Sequence, residues 1–295
     1  MSATRPDRAP WRHGYQLRCR AERPWSPAGS WPAMTVVAVV LLLAVCGTAT
    51  VPMAAPTGYY RYPALYGDTL VFAAEGDLWQ WQIDSSAPAR RMTTHLEEES
   101  HPAISPDGST LAFTGRYEGA SEVYTMPLAG GLPVRRTFEG ERARVQGWAP
   151  DGRLLYSTRK FSRLPNTQLA LLDLASHDVE RIPLAQAAQG CFDPDGEVLF
   201  FTRFAFHGSH TKYYRGGTAQ NLWRYRLGDE EALALTTSYP GTSRDPMCWE
   251  GRVYFVSDRD ATLNIWSMLP DGRDLRQHTH HDGWEVKSPS LSSGR

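Results

Sequence analysis

From Tyr59 onward the chain alternates short apolar stretches with tight polar turns, and no segment sustains a helical period. The apolar stretches come in a fixed order. One leads into a turn, at 63–66, 102–105, 145–149, 190–193, 246–249 and 289–292, and a second leaves it, at 70–73, 111–114, 154–158, 198–202 and 253–257. A third opens with a polar residue, an aliphatic and an aromatic: Asp77-Leu78-Trp79, Glu122-Val123-Tyr124, Asn221-Leu222-Trp223 and Asn264-Ile265-Trp266. Gln168-Leu169-Ala170 keeps that order without the ring. A fourth stretch ends at a threonine, at 90–93, 134–137, 233–236 and 275–279. Alternation of this kind buries one face of each strand, with the aromatic expected to fill the gap between neighbouring units.

The turn between the first and second stretches sets the count. Ser105-Pro106-Asp107-Gly108 reads as a type I hairpin turn: proline presets φ, aspartate bonds the backbone just after it, and glycine closes. Close copies are Ala149-Pro150-Asp151-Gly152 and Asp193-Pro194-Asp195-Gly196, with shortened forms at Glu250-Gly251 and Ser293-Gly294. The turn glycines Gly67, Gly108, Gly152, Gly196, Gly251 and Gly294 are 41, 44, 44, 55 and 43 residues apart. Four short strands repeating in the low forties are the signature of a propeller blade. The predicted fold is therefore all-β: a β-propeller of four-stranded, WD40-like or TolB-like blades, five complete and a sixth represented by its first strand. A propeller must close to remove its edges, so the sequence reads as the front of a longer protein.

Composition adds limits. Lys plus Arg number 31 and Asp plus Glu 32, which leaves no field for nucleic acid. Residues 1–33 are rich in Arg and Pro and read as disordered or as lying upstream of a true start at Met34. Within 34–56, every residue from 36 to 45 is apolar, the length of a signal-peptide core and too short for a spanning helix. Export, most simply to the periplasm, is the expectation, with a cytoplasmic location as the alternative. Contact with a membrane is expected only through that segment if it stays uncleaved. The propeller is assigned to 57–295. Its two cysteines, Cys191 and Cys248, fall in first strands and outside any CxxC, and are expected to be buried free thiols.

The wording of the repeats resembles the N-terminal six-bladed propeller of tricorn protease and its bacterial homologues. The residues that carry the likeness are Tyr60 to Pro63, Gly76-Asp77-Leu78-Trp79, the run Glu98 to Pro102, and the blade-four stretch 204–218. The Ser-Pro-Asp-Gly turn alone is shared with TolB and prolyl-peptidase propellers. The resemblance implies a protein that continues into a second propeller, a PDZ domain and a serine-peptidase core that trims oligopeptides, assembled as a hexamer. It implies as partners peptides and the remaining domains or subunits. This chain itself carries neither a Gly-x-Ser-x-Gly elbow nor a His-Glu-x-x-His, and no cofactor motif, so no catalytic residue is assigned. The expected function is that of the non-catalytic propeller of a tricorn-like peptidase, inactive alone, serving channelling and assembly. The alternative is a self-standing exported TolB-like scaffold for protein partners.

Three sets of residues are candidates for function. The blade-four excursion carries His207, His210, Lys212 and Arg215, and stretches the distance from turn glycine to third-strand aromatic to 27 residues, against 15 or 16 in blades five and two. Such a loop either contacts a peptide or a neighbouring domain, or packs over the propeller face. Arg159, Lys160 and Arg163 lie between the second and third strands of blade three. By resemblance they occupy the place of a basic pair that anchors a substrate carboxylate, and a solvated basic loop is the plainer reading. His278, His280, His281 and Asp282 look like a metal cluster, but fall in phase with Thr94 and His95 and belong to a recurring turn.

Overall fold

The computed structural model describes residues 59–164, 166–205 and 213–292, within a compact unit spanning Gly58–Arg295. Residues 1–33 and the 34–56 segment lie outside the described residues. Twenty strands form five separate four-stranded antiparallel sheets. Blade one comprises β1 (Arg61–Tyr66), β2 (Thr69–Ala74), β3 (Asp77–Gln82) and β4 (Arg90–Arg91), and blade two β5 (Glu99–Ile104), β6 (Thr110–Gly115), β7 (Glu122–Pro127) and β8 (Val134–Arg135). Blade three comprises β9 (Arg144–Trp148), β10 (Leu154–Thr158), β11 (Gln168–Leu172) and β12 (Val179–Arg181), and blade four β13 (Gln189–Phe192), β14 (Val198–Thr202), β15 (Leu222–Arg226) and β16 (Leu233–Ala234). Blade five is β17 (Ser243–Trp249), β18 (Arg252–Ser257), β19 (Asn264–Met268) and β20 (Arg276–Gln277). The first strands of successive blades touch one another, β1 with β5, β5 with β9, β9 with β13 and β13 with β17. They therefore form the inner ring of a β-propeller.

The turn that counts the blades is built as its sequence requires. Gly108 N–H donates to Ser105 O at 2.9 Å, and the Asp107 carboxylate accepts from the side chains of Ser105 and Ser109 and from Ser109 N–H. Those donors pull the Asp107 pKa down to about 2, the Ser105 hydroxyl contributing most. Gly67, Gly108, Gly152, Gly196 and Gly251 all sit at φ between 52° and 87°, the left-handed region where a side chain is strained.

The third-strand motif and the terminal threonine turn out to be one device. Thr93, Thr137, Thr236 and Thr279 each accept, at their Oγ1, the backbone N–H of the third-strand aliphatic: Leu78 at 2.9 Å, Val123 at 2.8 Å, Leu222 at 2.9 Å and Ile265 at 2.9 Å. The same hydroxyls donate to a carboxylate or amide oxygen, Glu99 for Thr93, Glu122 for Thr137, Asn221 for Thr236 and Asn264 for Thr279. The latch satisfies a buried N–H where the two-residue outer strand gives out. Blade three has no such threonine, and Gln168 Nε2 instead donates to Leu184 O at 3.0 Å. Because Thr279 is the counterpart of Thr93, His280 falls opposite Thr94 rather than His95, one residue off the expected phase.

Cross-strand pairs supply the packing. Phe72 faces Trp79, Phe113 faces Tyr124, Phe201 faces Trp223 and Phe255 faces Trp266, while in blade three Ala170 faces the fully buried Tyr156. Apolar clusters fill each gap between consecutive blades. Val71 and Leu78 meet Leu111 and Phe113; Val123 meets Leu154 and Tyr156; Leu155 and Leu169 meet Leu199 and Phe201; Phe200 and Leu222 meet Val253 and Phe255. The opposite face of blade one holds an apolar groove of about 450 Å³ lined by Tyr60, Pro63, Leu70, Phe72 and Trp81, which no other blade covers among the described residues.

Two expectations need correction. Cys191 and Cys248 form a disulfide, with Cα atoms 5.7 Å apart, rather than standing as free thiols. The reason is the repeat itself: β13 and β17 are adjacent around the axis, and Cys248 stands one residue later in its strand than Cys191 in its own, Cys191 pairing with Phe200 and Cys248 with Val253, so the two side chains leave facing sides of neighbouring sheets. Residues 289–292 form no strand, and no other strand pairs with them among the described residues. Their entry still follows the repeat. Val286 N–H donates to Leu263 O at 2.8 Å, the same link that Glu99 makes to Gly76, Ala143 to Ser121, Ala187 to Thr167 and Ser243 to Gln220.

Candidate functional site: the axial ring

Near the start of the inner strands, prolines shape the backbone facing the axis. Tyr62, His101 and Asp245 each precede one, at Pro63, Pro102 and Pro246. Proline cannot donate to the ladder, and the pairing of β1, β5 and β17 skips there, between Arg61 and Ala64, Ser100 and Ala103, and Arg244 and Met247. The residues before the prolines take φ of 51°, 50° and 53°, and Ser288 before Pro289 takes 46°. A left-handed non-glycine residue costs on the order of 1–3 kcal/mol and persists where its surroundings fix it, commonly at binding sites.

The side chains at this level meet across blades. The rings of Tyr62 and His101 lie 4.0 Å apart, centre to centre. Gln189 of blade four donates through Nε2 to Asp245 Oδ1 of blade five and accepts Asp245 N–H at 3.2 Å. Arg244, 3% exposed, places Nε 3.6 Å from Asp245 Oδ2. Arg61 donates to Glu98 at 2.8 Å and lies over the rings of Tyr59 and Tyr62. Arg144, half-buried, stands within electrostatic range of Asp245, Tyr62 and His101. Burial, helped by Arg144, Arg61 and Arg142, holds the His101 imidazole well below its ordinary 6.5, so it is neutral at pH 7. Burial also lowers the Arg144 pKa and pushes Asp245 up, the latter against the pull of Arg244, Arg144 and the Gln189 amide.

The residues expected from the sequence lie elsewhere. Arg159, Lys160 and Arg163 occupy the β10–β11 connection, at the end of the propeller where chains enter the inner strands. Arg159 is half-buried with Nε unbonded, Lys160 is exposed with its N–H on Thr158 Oγ1 at 3.0 Å, and Arg163 is exposed. Among the described residues no carboxylate gathers the three. Arg215 is exposed, and His207, His210 and Lys212 lie outside the described residues. Where the blade-four excursion returns, Tyr213 N–H donates to the buried Asp258 at 2.7 Å, which also accepts from Tyr239 OH at 3.0 Å and Thr242 N–H at 2.8 Å. That end of the loop is pinned to blade five. His278 bonds Ser267 at 2.8 Å and His281 holds Asn264 through its backbone, so both serve the latch region of blade five. The axial residues escaped the sequence reading although one signal pointed to them: an X-Pro pair opening the first strand of blades one, two, five and six.

Blade count, inner-strand bulges and loop placement can be set beside known proteins. Residues 57–295 match the family described as the tricorn protease N-terminal beta propeller domain. The chain belongs to this family. It is 34% identical over 244 residues to tricorn protease homolog 1 of Streptomyces coelicolor, covering 82% of this chain and 23% of that protein. To the tricorn protease homolog of Saccharolobus solfataricus it is 27% identical over 245 residues, covering 80% and 22%. The crystal structure of the tricorn protease superposes with a TM-score of 0.71 at 24% identity, over 79% of this chain and 23% of that one. This tricorn-family propeller thus spans about a quarter of the length of the curated relatives it matches.

Proposed function

We propose that the chain is the non-catalytic propeller of a tricorn-like serine peptidase, guiding oligopeptides along its axis while its loops meet the remaining domains or subunits, in a hexamer by analogy with the family. The observation that carries this reading is the polar, cross-blade ring of Tyr62, His101, Arg144, Gln189 and Asp245 on the inner strands, where four blades or more contribute to one set of contacts. Arg159, Lys160, Arg163 and Arg215 add positive charge at the entry end, where an acidic peptide end is steered electrostatically. The Cys191–Cys248 disulfide supports export to an oxidising compartment such as the periplasm through the 34–56 segment. The test is photo-crosslinking with an oligopeptide that carries a benzophenone side chain. Adducts on the inner strands support the reading; adducts confined to the outer strands, or none, oppose it.

A further inference from the structure

Among the described residues, one junction between inner strands carries a covalent tie: the Cys191–Cys248 bridge joins β13 of blade four to β17 of blade five. A second tie lies beside it. Two residues before Cys191 and three before Cys248, Gln189 donates to Asp245 Oδ1 and accepts Asp245 N–H at 3.2 Å. Asp245 is held there at a cost. It takes φ of 53° ahead of Pro246, the pairing of β17 skips between Arg244 and Met247, and burial pushes its carboxyl pKa up. A residue in such a state stays only where its surroundings fix it, and the bridge is the covalent part of those surroundings. The sulfurs are also within reach. Cys191 and Cys248 are half-buried at the margin of the cluster of Phe200, Leu222, Val253 and Phe255, so a small thiol can reach them without unfolding the sheets.

We propose that the Cys191–Cys248 bridge is a redox-operated clasp: as a disulfide it keeps Asp245 seated on Gln189 across the blade four–blade five junction, and its reduction by a dithiol frees the start of β17 to leave that seat. The chemistry is thiol–disulfide exchange. One sulfur of the dithiol attacks a bridge sulfur while the other cysteine departs as a thiolate, and the second sulfur of the dithiol then displaces the cysteine still held. The dithiol ends as a disulfide, and its two electrons and two protons end on the Cys191 and Cys248 thiols. The change is confined by what remains paired. Met247, Cys248 and Trp249 keep their places opposite Tyr254, Val253 and Arg252, and Ser243 N–H keeps its 2.8 Å bond to Gln220 O, so the residues set free are 244–246 at the inner ring. The inner ring is then fixed in a compartment where disulfides form and loosened where dithiols keep cysteines reduced. None of this requires that a peptide be the ligand of the axis.

The experiment is hydrogen exchange read by mass spectrometry on the full chain, oxidised and then treated with dithiothreitol without denaturant, with iodoacetamide trapping the freed thiols. The expected result is that fragments holding Cys191 and Cys248 become alkylated in the folded protein, and that the fragment covering 243–249 exchanges about ten-fold faster or more while β6 and β7 of blade two are unchanged. The double change Cys191→Ser with Cys248→Ser is expected to match the reduced protein and to ignore dithiothreitol. Alkylation that appears only after urea is added overturns the clasp and leaves a purely structural bridge. Alkylation in the folded protein with no change at 243–249 also overturns it, because the bridge then does not hold Asp245. Faster exchange in all five blades alike marks a general loss of stability and overturns a local device. Circular dichroism reports whether the double variant folds; if it does not, the comparison of the oxidised and reduced unaltered chain decides.

Discussion

The threonine latch gives a sharp prediction, best tested in blade two. Thr137 is 3% exposed, accepts Val123 N–H at 2.8 Å and donates to Glu122, itself 1% exposed. Thr137→Val keeps the shape and removes the hydroxyl. Val123 N–H is then buried with no acceptor, a loss of about 1–3 kcal/mol. The carboxylate suffers less, because Arg135, Glu139 N–H and Gly140 N–H still bond it, at 3.0, 2.9 and 2.9 Å. The expected cost is therefore about 2 kcal/mol, or roughly 4–8 °C in Tm for a domain of this size. Thr137→Ser keeps the hydroxyl and is expected to lose less than about 1 kcal/mol, the price of one methyl group. Urea titration and thermal melting of the three proteins make the comparison. If Thr137→Val melts with the unaltered protein, or if Thr137→Ser loses as much as Thr137→Val, the hydroxyl is not what holds the outer strand.

Further outcomes follow from the inner ring. The disulfide closes a loop with a sequence separation of 57, for which the chain-entropy relation gives about 4 kcal/mol, so reductant or the double change Cys191→Ala with Cys248→Ala lowers the urea midpoint, and identical midpoints contradict the bridge. Folding keeps His101 neutral, so as pH falls below 6.5 the unfolded chain takes up a proton that the folded one refuses. Stability therefore declines on acidification from that point, and His101→Phe makes the denaturation midpoint flatter between pH 7 and the onset of carboxylate titration; parallel curves for the two proteins oppose this assignment.

Blade number, strand order and most strand edges were legible because the propeller repeats its chemistry. Pro-Asp-Gly turns need particular dihedrals, and a sheet lying between two others is buried on both faces, which gives the continuous apolar runs of β10, β11 and β14. The terminal threonine was visible as a pattern, but its reason was not: the partner N–H lies 14 residues earlier in the chain, a relation that alternation does not encode. The disulfide was missed because Cys191 and Cys248 are judged by local spacing in a sequence, whereas adjacency around an axis makes them neighbours. The axial site was missed for a related reason. Tyr62, His101, Arg144, Gln189 and Asp245 come from five different blades and form no motif along the chain, so charge-rich loops such as Arg159 to Arg163 drew attention instead.

The central claim is that peptides are handled at the axis, and cross-link mapping tests it most directly. An oligopeptide bearing benzoylphenylalanine, irradiated with the full chain and digested, is predicted to leave adducts on fragments holding Tyr62, His101 and Arg144, and to lose them when excess unlabelled peptide is present. Adducts found instead on β4, β8, β12, β16 or β20 at the outer rim, or adducts that unlabelled peptide does not displace, would contradict it.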